Sequence, residues 1–131
     1  MDMDQLLHFQ KKLAYEIDSW DVYVALQNNE GLVVIDGRSA SAYAREHIPG
    51  AVNLPHREIC VNTTADLDKS KVYACYCDGI GCNASTKTAL KLLTLGFKVK
   101  ELMGGLDWWK RDGYATAGAE ARPGTAIECG C

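Results

Sequence analysis

The chain has 131 residues, 47% of them hydrophobic and 24% charged, with a formal net charge of −3. That length builds one domain with a real core and not two comfortable ones. With no basic run and no stretch near the ~18 unbroken apolar residues of a membrane span, nucleic acid and membrane are excluded as expected partners.

The opening residues, MDMDQLLHFQKKL, carry acids where a secretory signal carries positive charge, so the expected location is the cytoplasm. Over residues 4–16, Leu6, Leu7, Phe9, Gln10, Leu13, Ala14 and the following Ile17 recur at three-and-four spacing. They predict an amphipathic helix, with residues 1–18 as an N-terminal helical segment. Ser19 is placed to cap a second helix, WDVYVALQNN, which stops at Asn28-Asn29-Glu30-Gly31. LVVID is a short β-branched run, the pattern of a strand buried on both faces. Ser39 opens the short helix SASAYAREH, and Pro49-Gly50 turns the chain into the brief strand AVNLP.

TTADLDKS is polar and reads as a loop or short helix, and KVYACYC is the second clear buried strand. The loop DGIGC leads to a helix over about residues 84–95. Ser85, Ala89, Leu92 and Leu93 mark its packed face, Lys87, Thr88, Lys91 and Thr94 its solvated face, and Gly96 its stop. VKEL is a strand, Gly104-Gly105 a tight turn and LDWWKRDG a last short helix. From Tyr114 on there is no periodicity, so 19–114 is the expected domain and 115–131 a flexible, cysteine-containing tail. Strands alternating with helices imply an α/β domain whose parallel sheet is covered on both sides. In such sheets the working site lies beyond the carboxyl ends of the strands.

Six cysteines stand at 60, 75, 77, 82, 129 and 131. In a chain with no export signal and its own core, they point to reactive or metal-binding thiols rather than disulfides. Cys75 and Cys77, two apart in a strand, face the same side; Cys75 is most simply a small buried residue, and Cys60 has no partner near it in sequence. Cys77 ends its strand at the rim of the sheet, just before a helix start. Unpaired N–H groups and partial positive charge there favour a thiolate, the form that acts as a nucleophile. Gly79 and Gly81 let the loop Asp78-Gly79-Ile80-Gly81-Cys82 curl its amides inward, and Asn83 is placed to cap the helix. On these features alone, a reactive Cys77 and an inert residue in a tight strand–helix turn stand level. Cys129-Gly-Cys131 is a weak metal signal with no histidine near it, leaving sulfur acceptance, chelation of a soft metal or no role open. No metal and no cofactor are expected.

Three separated stretches carry a resemblance. VVIDGRSASAYAREHIPGAVNLP, YCDGIGCNAS and ELMGGLDWWKRDGY resemble, in order and spacing, the signature segments of rhodanese-like domains, over about Trp20 to Tyr114. The CNAS-containing loop with two cysteines resembles that of a bacterial-type single-domain subgroup. The resemblance implies a five-stranded parallel sheet flanked by helices on both faces. It implies sulfur transfer, in which an active-site cysteine takes sulfur from a donor such as thiosulfate, becomes a persulfide, and passes the sulfur to cyanide or another thiol. The family's nucleophile follows the central strand, which is Cys77 here; Asp36 and Arg38 match its Asp-x-Arg, an ion pair beneath the site, and His47 its HIPG turn, a packed role. The partners implied are a small sulfur donor and a thiol acceptor or sulfur-accepting protein.

The loop also departs from the family pattern. It is about two residues longer, holds no cation, and sets the acid Asp78 beside the thiol, which weakens the case for dianionic thiosulfate. The related phosphatase chemistry needs an Arg six residues after the cysteine, where Asn83 stands. Cys82 is open to three readings: a resolving thiol, an alternative nucleophile or a spacer. A non-catalytic binding module, and a redox protein using the Cys77–Cys82 pair, compete with the sulfurtransferase.

Overall fold

Two apolar runs make the middle of the sheet. LVVID forms β2 (Leu32–Asp36) and VYACY forms β4 (Val72–Tyr76), paired in parallel from Leu32 opposite Val72 to Asp36 opposite Tyr76. The remaining strands are β1 (Glu16–Ile17), β3 (Val52–Asn53) and β5 (Lys98–Leu102). All pairings are parallel, in the spatial order β1-β5-β4-β2-β3. The helices are α1 (Met3–Tyr15), α2 (Ser19–Gln27), α3 (Ala40–Arg45), α4 (Ala84–Thr94) and α5 (Gly105–Arg111). This computed structural model describes residues 1–125, so Cys129 and Cys131 lie outside the described residues. None of its helices is long and apolar enough to cross a membrane.

Alternation along β4 divides the core. Tyr73 and Cys75 join Ile35, Leu54, Leu92 and Phe97 under α4. Ala74 and Tyr76 face the other way, with Val34, Ile48, Leu102, Leu106 and Trp109 between the sheet and α2 and α5. Cys75 is wholly buried, and that burial, with the Glu101 carboxylate, pushes its thiol up to about 12. It is a packing residue.

Several local expectations change. Asp18, not Ser19, caps α2: its carboxylate accepts from the Asp21 N–H at 2.8 Å. Ser19 lies inside the helix with its hydroxyl buried and unpartnered among the described residues. Residues 16 and 17, read as the end of a helical segment, instead pair with Glu101 and Leu102 as an edge strand. The amphipathic helix α1 forms as the spacing predicts, yet it buries no residue and leaves Leu7, Phe9 and Leu13 exposed. On α4 the faces shift by one position. Thr88 is buried and Leu93 exposed, because Gly37 crosses the helix at Thr88 and would collide with its hydroxyl if it carried a Cβ. The Thr88 hydroxyl donates back to the Ala84 carbonyl at 2.7 Å, so it needs no water.

Residues 115–125, expected as part of a flexible tail, are held on the fold. The Ala117 and His47 backbones exchange two hydrogen bonds of 2.9 Å, and the Trp109 indole donates to the Ala115 carbonyl at 2.9 Å. The Thr116 hydroxyl donates to Glu46 at 2.7 Å, where Lys110 also pairs at 3.0 Å. Burial pushes the Glu46 carboxyl up, but Thr116, Lys110 and Arg122 together outweigh it and hold the group below the ordinary glutamate range. A lowered folded value stabilises the fold above the unfolded value and is lost as pH falls through the folded one. Glu46→Gln is therefore expected to destabilise by about 1–2 kcal/mol at neutral pH. The two proteins' denaturation midpoints should converge in acid; a gap independent of pH would mean the charge does not matter.

Candidate active site

The site is built where β2 and β4 end. Asp36, the last residue of β2, is wholly buried, and four donor groups reach its carboxylate. The Arg38 backbone N–H and Nε reach Oδ1 at 2.9 and 3.0 Å; Arg38 Nη2 and the Tyr76 hydroxyl reach Oδ2 at 2.7 and 2.6 Å. Arg38 Nη2 also donates to the Glu46 carbonyl at 2.6 Å, and Nη1 reaches the Asp78 carboxylate at 3.1 Å. One guanidinium thus ties the sheet, the turn after α3 and the first residue of the cysteine loop. Asp78, the acid next to the thiol in sequence, is turned to Arg38.

Cys77 is the first residue past β4. Its carbonyl is capped by the Leu106 N–H at 2.9 Å, and that of Asp78 by the Asp107 N–H at 2.8 Å, so the start of α5 fixes the backbone here. Gly104 and Gly105 both take positive φ, +76° and +56°. A Cβ on Gly105 would strike the Cys77 carbonyl, which leaves glycine as the residue for that close approach. The Cys77 side chain lies on the same side of the sheet as Cys75, toward the start of α4, and is 1% exposed.

Its thiol donates to the Cys82 carbonyl at 3.1 Å. Burial pushes the thiol up and the adjoining Cys82 thiol adds to this, while the amides of Ser85 and Gly79 pull it down. The net direction is upward. Two amides, those of Ser85 and Gly79, lie against the sulfur, and burial outweighs them. Gly79 and Gly81 are outside the left-handed region; Gly79 is pressed against the Asp107 side chain, and Gly81 faces open space. Asn83 stands at the cap position of α4 without a side-chain cap bond.

The loop 78–83 arches over the thiol, with Ile80 exposed at its crest. On one side is a cleft of about 400 Å³ lined by the loop, Ser85, Thr86, Glu101, Met103 and Trp108. Its size suits a small donor. Glu101 accepts from the Ser85 hydroxyl at 2.8 Å and from the Thr86 hydroxyl, which anchors the start of α4 to β5. On the other side a second cleft runs past Arg38, His56 and Cys82. His47 stacks on Tyr43 with ring centres 3.7 Å apart, and its Nδ1 meets the Tyr43 carbonyl at 2.6 Å. Cys60 is exposed, and the N–H and hydroxyl of Thr63 beside it lower its thiol. Among the described residues no group of three or more His, Cys, Asp and Glu could hold a metal ion.

Sequence reasoning passed over Tyr76, Glu101 and the α5 amides. Tyr76 carried a usable signal: as the last residue of the strand it alternates with Cys75, which turns it to the opposite face of the sheet from Cys75 at the sheet's carboxyl rim.

A family model described as the rhodanese-like domain matches residues 19–112. The thiosulfate sulfurtransferase GlpE of Pseudomonas putida is 35% identical over 103 residues, covering 77% of this chain and 86% of that protein. The tRNA sulfurtransferase of Thermoplasma acidophilum is 37% identical over 93 residues, 65% of this chain, but the match spans only 18% of its length. Among solved structures, the BH2092 protein of Bacillus halodurans superposes with a TM-score of 0.88 at 38% identity, covering 97% of this chain and 93% of that one.

Proposed function

The chain belongs to the rhodanese-like domain family, and on that premise we propose that it is a sulfurtransferase whose nucleophile is Cys77. The observation that carries the reading is the place of its sulfur: at the carboxyl end of the central strand, against the amides of Ser85 and Gly79. Relatives named as sulfurtransferases support the same class of activity.

The chain's own groups divide the work. Arg38 neutralises Asp78 and pins the start of the loop. When the loop lifts, the bond from the Cys77 thiol to the Cys82 carbonyl breaks and its desolvation eases. The two amides then act unopposed on the anion, since N–H donors favour the charged form. The thiolate attacks the outer sulfur of the donor; the donor's inner group leaves with the bond's electron pair, and Cys77 carries a persulfide. A thiol or cyanide acceptor takes that sulfur and restores the thiolate. The donor and acceptor are small molecules or a sulfur-accepting protein.

Reduced protein would be incubated with thiosulfate and, in parallel, with a low-molecular-weight persulfide, recording donor consumed per chain. The wild type is expected to take up about one sulfur per chain in a single turnover, and Cys77→Ser none. Uptake lost in Cys82→Ser but kept in Cys77→Ser would move the nucleophile to residue 82. The near-complete burial of Cys77 favours a second reading, a binding module that keeps the scaffold without the chemistry. For that reading, neither donor would be consumed by any variant.

A further inference from the structure

Cys82 has a position that sulfur uptake at Cys77 leaves unused. A turn closed by the Cys82 N–H to the Gly79 carbonyl, at 3.2 Å, folds residue 82 back over residue 77. The Cys77 thiol donates to the Cys82 carbonyl at 3.1 Å, so residue 82 adjoins it directly. Their access differs. Cys77 is sealed beneath the loop, whereas Cys82 is half-buried and lines the clefts on both sides of it.

We propose that Cys82 is the resolving thiol of the Cys77 persulfide, so that the loop releases sulfide and closes as a Cys77–Cys82 disulfide. The inference rests on the sulfur-uptake reading above. The Cys82 thiolate attacks Cys77 Sγ, the bond from that sulfur to the outer sulfur breaks, and the outer sulfur leaves as hydrosulfide with the bonding pair. The sulfane sulfur is reduced by two electrons, and the two cysteine sulfurs supply them. The proton of the persulfide leaves on the hydrosulfide, and that of Cys82 passes to water. An external dithiol then reduces the disulfide by exchange and departs as its own disulfide. The net activity is reductive release of sulfide from a sulfane donor.

Three features favour this course. The turn that closes the loop brings residue 82 back onto the Cys77 thiol, which already bonds to its carbonyl at 3.1 Å. Four residues separate the pair, a tether that gives an effective concentration on the order of mM or more, against which a free thiol competes poorly. The loop also bears no side-chain cation to hold a persulfide anion, and Arg38 is already bound to Asp36 and Asp78.

The test uses the full reduced chain, a low-molecular-weight persulfide as donor and no added thiol, reading free sulfide, intact mass and mapped cysteine linkages. The wild type is expected to release one sulfide per chain and to finish two hydrogens lighter, with Cys77 joined to Cys82. Cys82→Ser and Cys82→Ala are both expected to stop one sulfur heavier, with the extra atom on Cys77 and no sulfide freed. A wild type that keeps its added sulfur on Cys77, or carries it on Cys82 as a relayed persulfide, overturns the inference and leaves sulfur uptake intact. If no variant gains sulfur and no sulfide appears, both readings fall together.

Discussion

Replacing Arg38 by alanine is expected to lower stability by about 3–5 kcal/mol, because it strands a carboxylate that cannot reach water. Asp36 is 0% exposed, and Arg38 supplies three of the four donor groups that reach its carboxylate. One of those three comes from the Arg38 backbone and survives the substitution, as does the Tyr76 hydroxyl; the charge does not. Against a typical total of about 5–15 kcal/mol, such a loss takes much of the folded population's margin. Arg38→Lys should recover only part of it, since a point ammonium cannot span both carboxylate oxygens and also reach Glu46 and Asp78. Chemical denaturation of the three proteins decides the matter. A loss below about 1 kcal/mol for Arg38→Ala would show that desolvation of the pair consumes its attraction.

Gly105→Ala is expected to destabilise by about 2–4 kcal/mol, the sum of a left-handed backbone at a residue with Cβ and a core overlap. The added methyl would meet the Cys77 carbonyl, and the nearby Gly79 nitrogen at 3.0 Å. The same carbonyl accepts the Leu106 N–H, so relief of the overlap pulls apart the bond that fixes the cysteine's backbone. Gly81→Ala is the control. Its Cβ meets nothing within 4 Å and its backbone is not left-handed, so its denaturation midpoint should stay within about 0.5 kcal/mol of the wild type. Equal losses in the two variants would mean that loop entropy, and not the contact with α5, governs the site.

The sheet was legible because its central strands are apolar runs too short for helices, separated by helical periodicity. The resemblance of three segments to rhodanese-like signatures then singled out Asp36, Arg38, Cys77 and the loop, which the fold brings to the carboxyl ends of β2 and β4. What escaped were matters of context. A strand of two residues, such as Glu16–Ile17, has no period to read. Asp18 and Ser19 are both good caps, and only the direction from which the chain enters α2 chooses between them. Thr88 counts as polar on a helical wheel, yet its hydroxyl is satisfied by its own helix. Asp78 stands beside the cysteine in sequence, but its partner lies 40 residues away. The resting state of the thiol was likewise hidden, since the weight of burial against two amides depends on how the loop lies.

Both margins of the sheet, β1 and β3, are only two residues long. A rail that brief offers too few free backbone groups for another chain to anneal along it, which is how border strands seed fibrils and runaway stacking. Crowding of this molecule should therefore not lengthen its sheet across molecules; any clumping would begin at side chains such as the uncovered Leu7, Phe9 and Leu13, and would yield to detergent rather than persist as cross-β deposits.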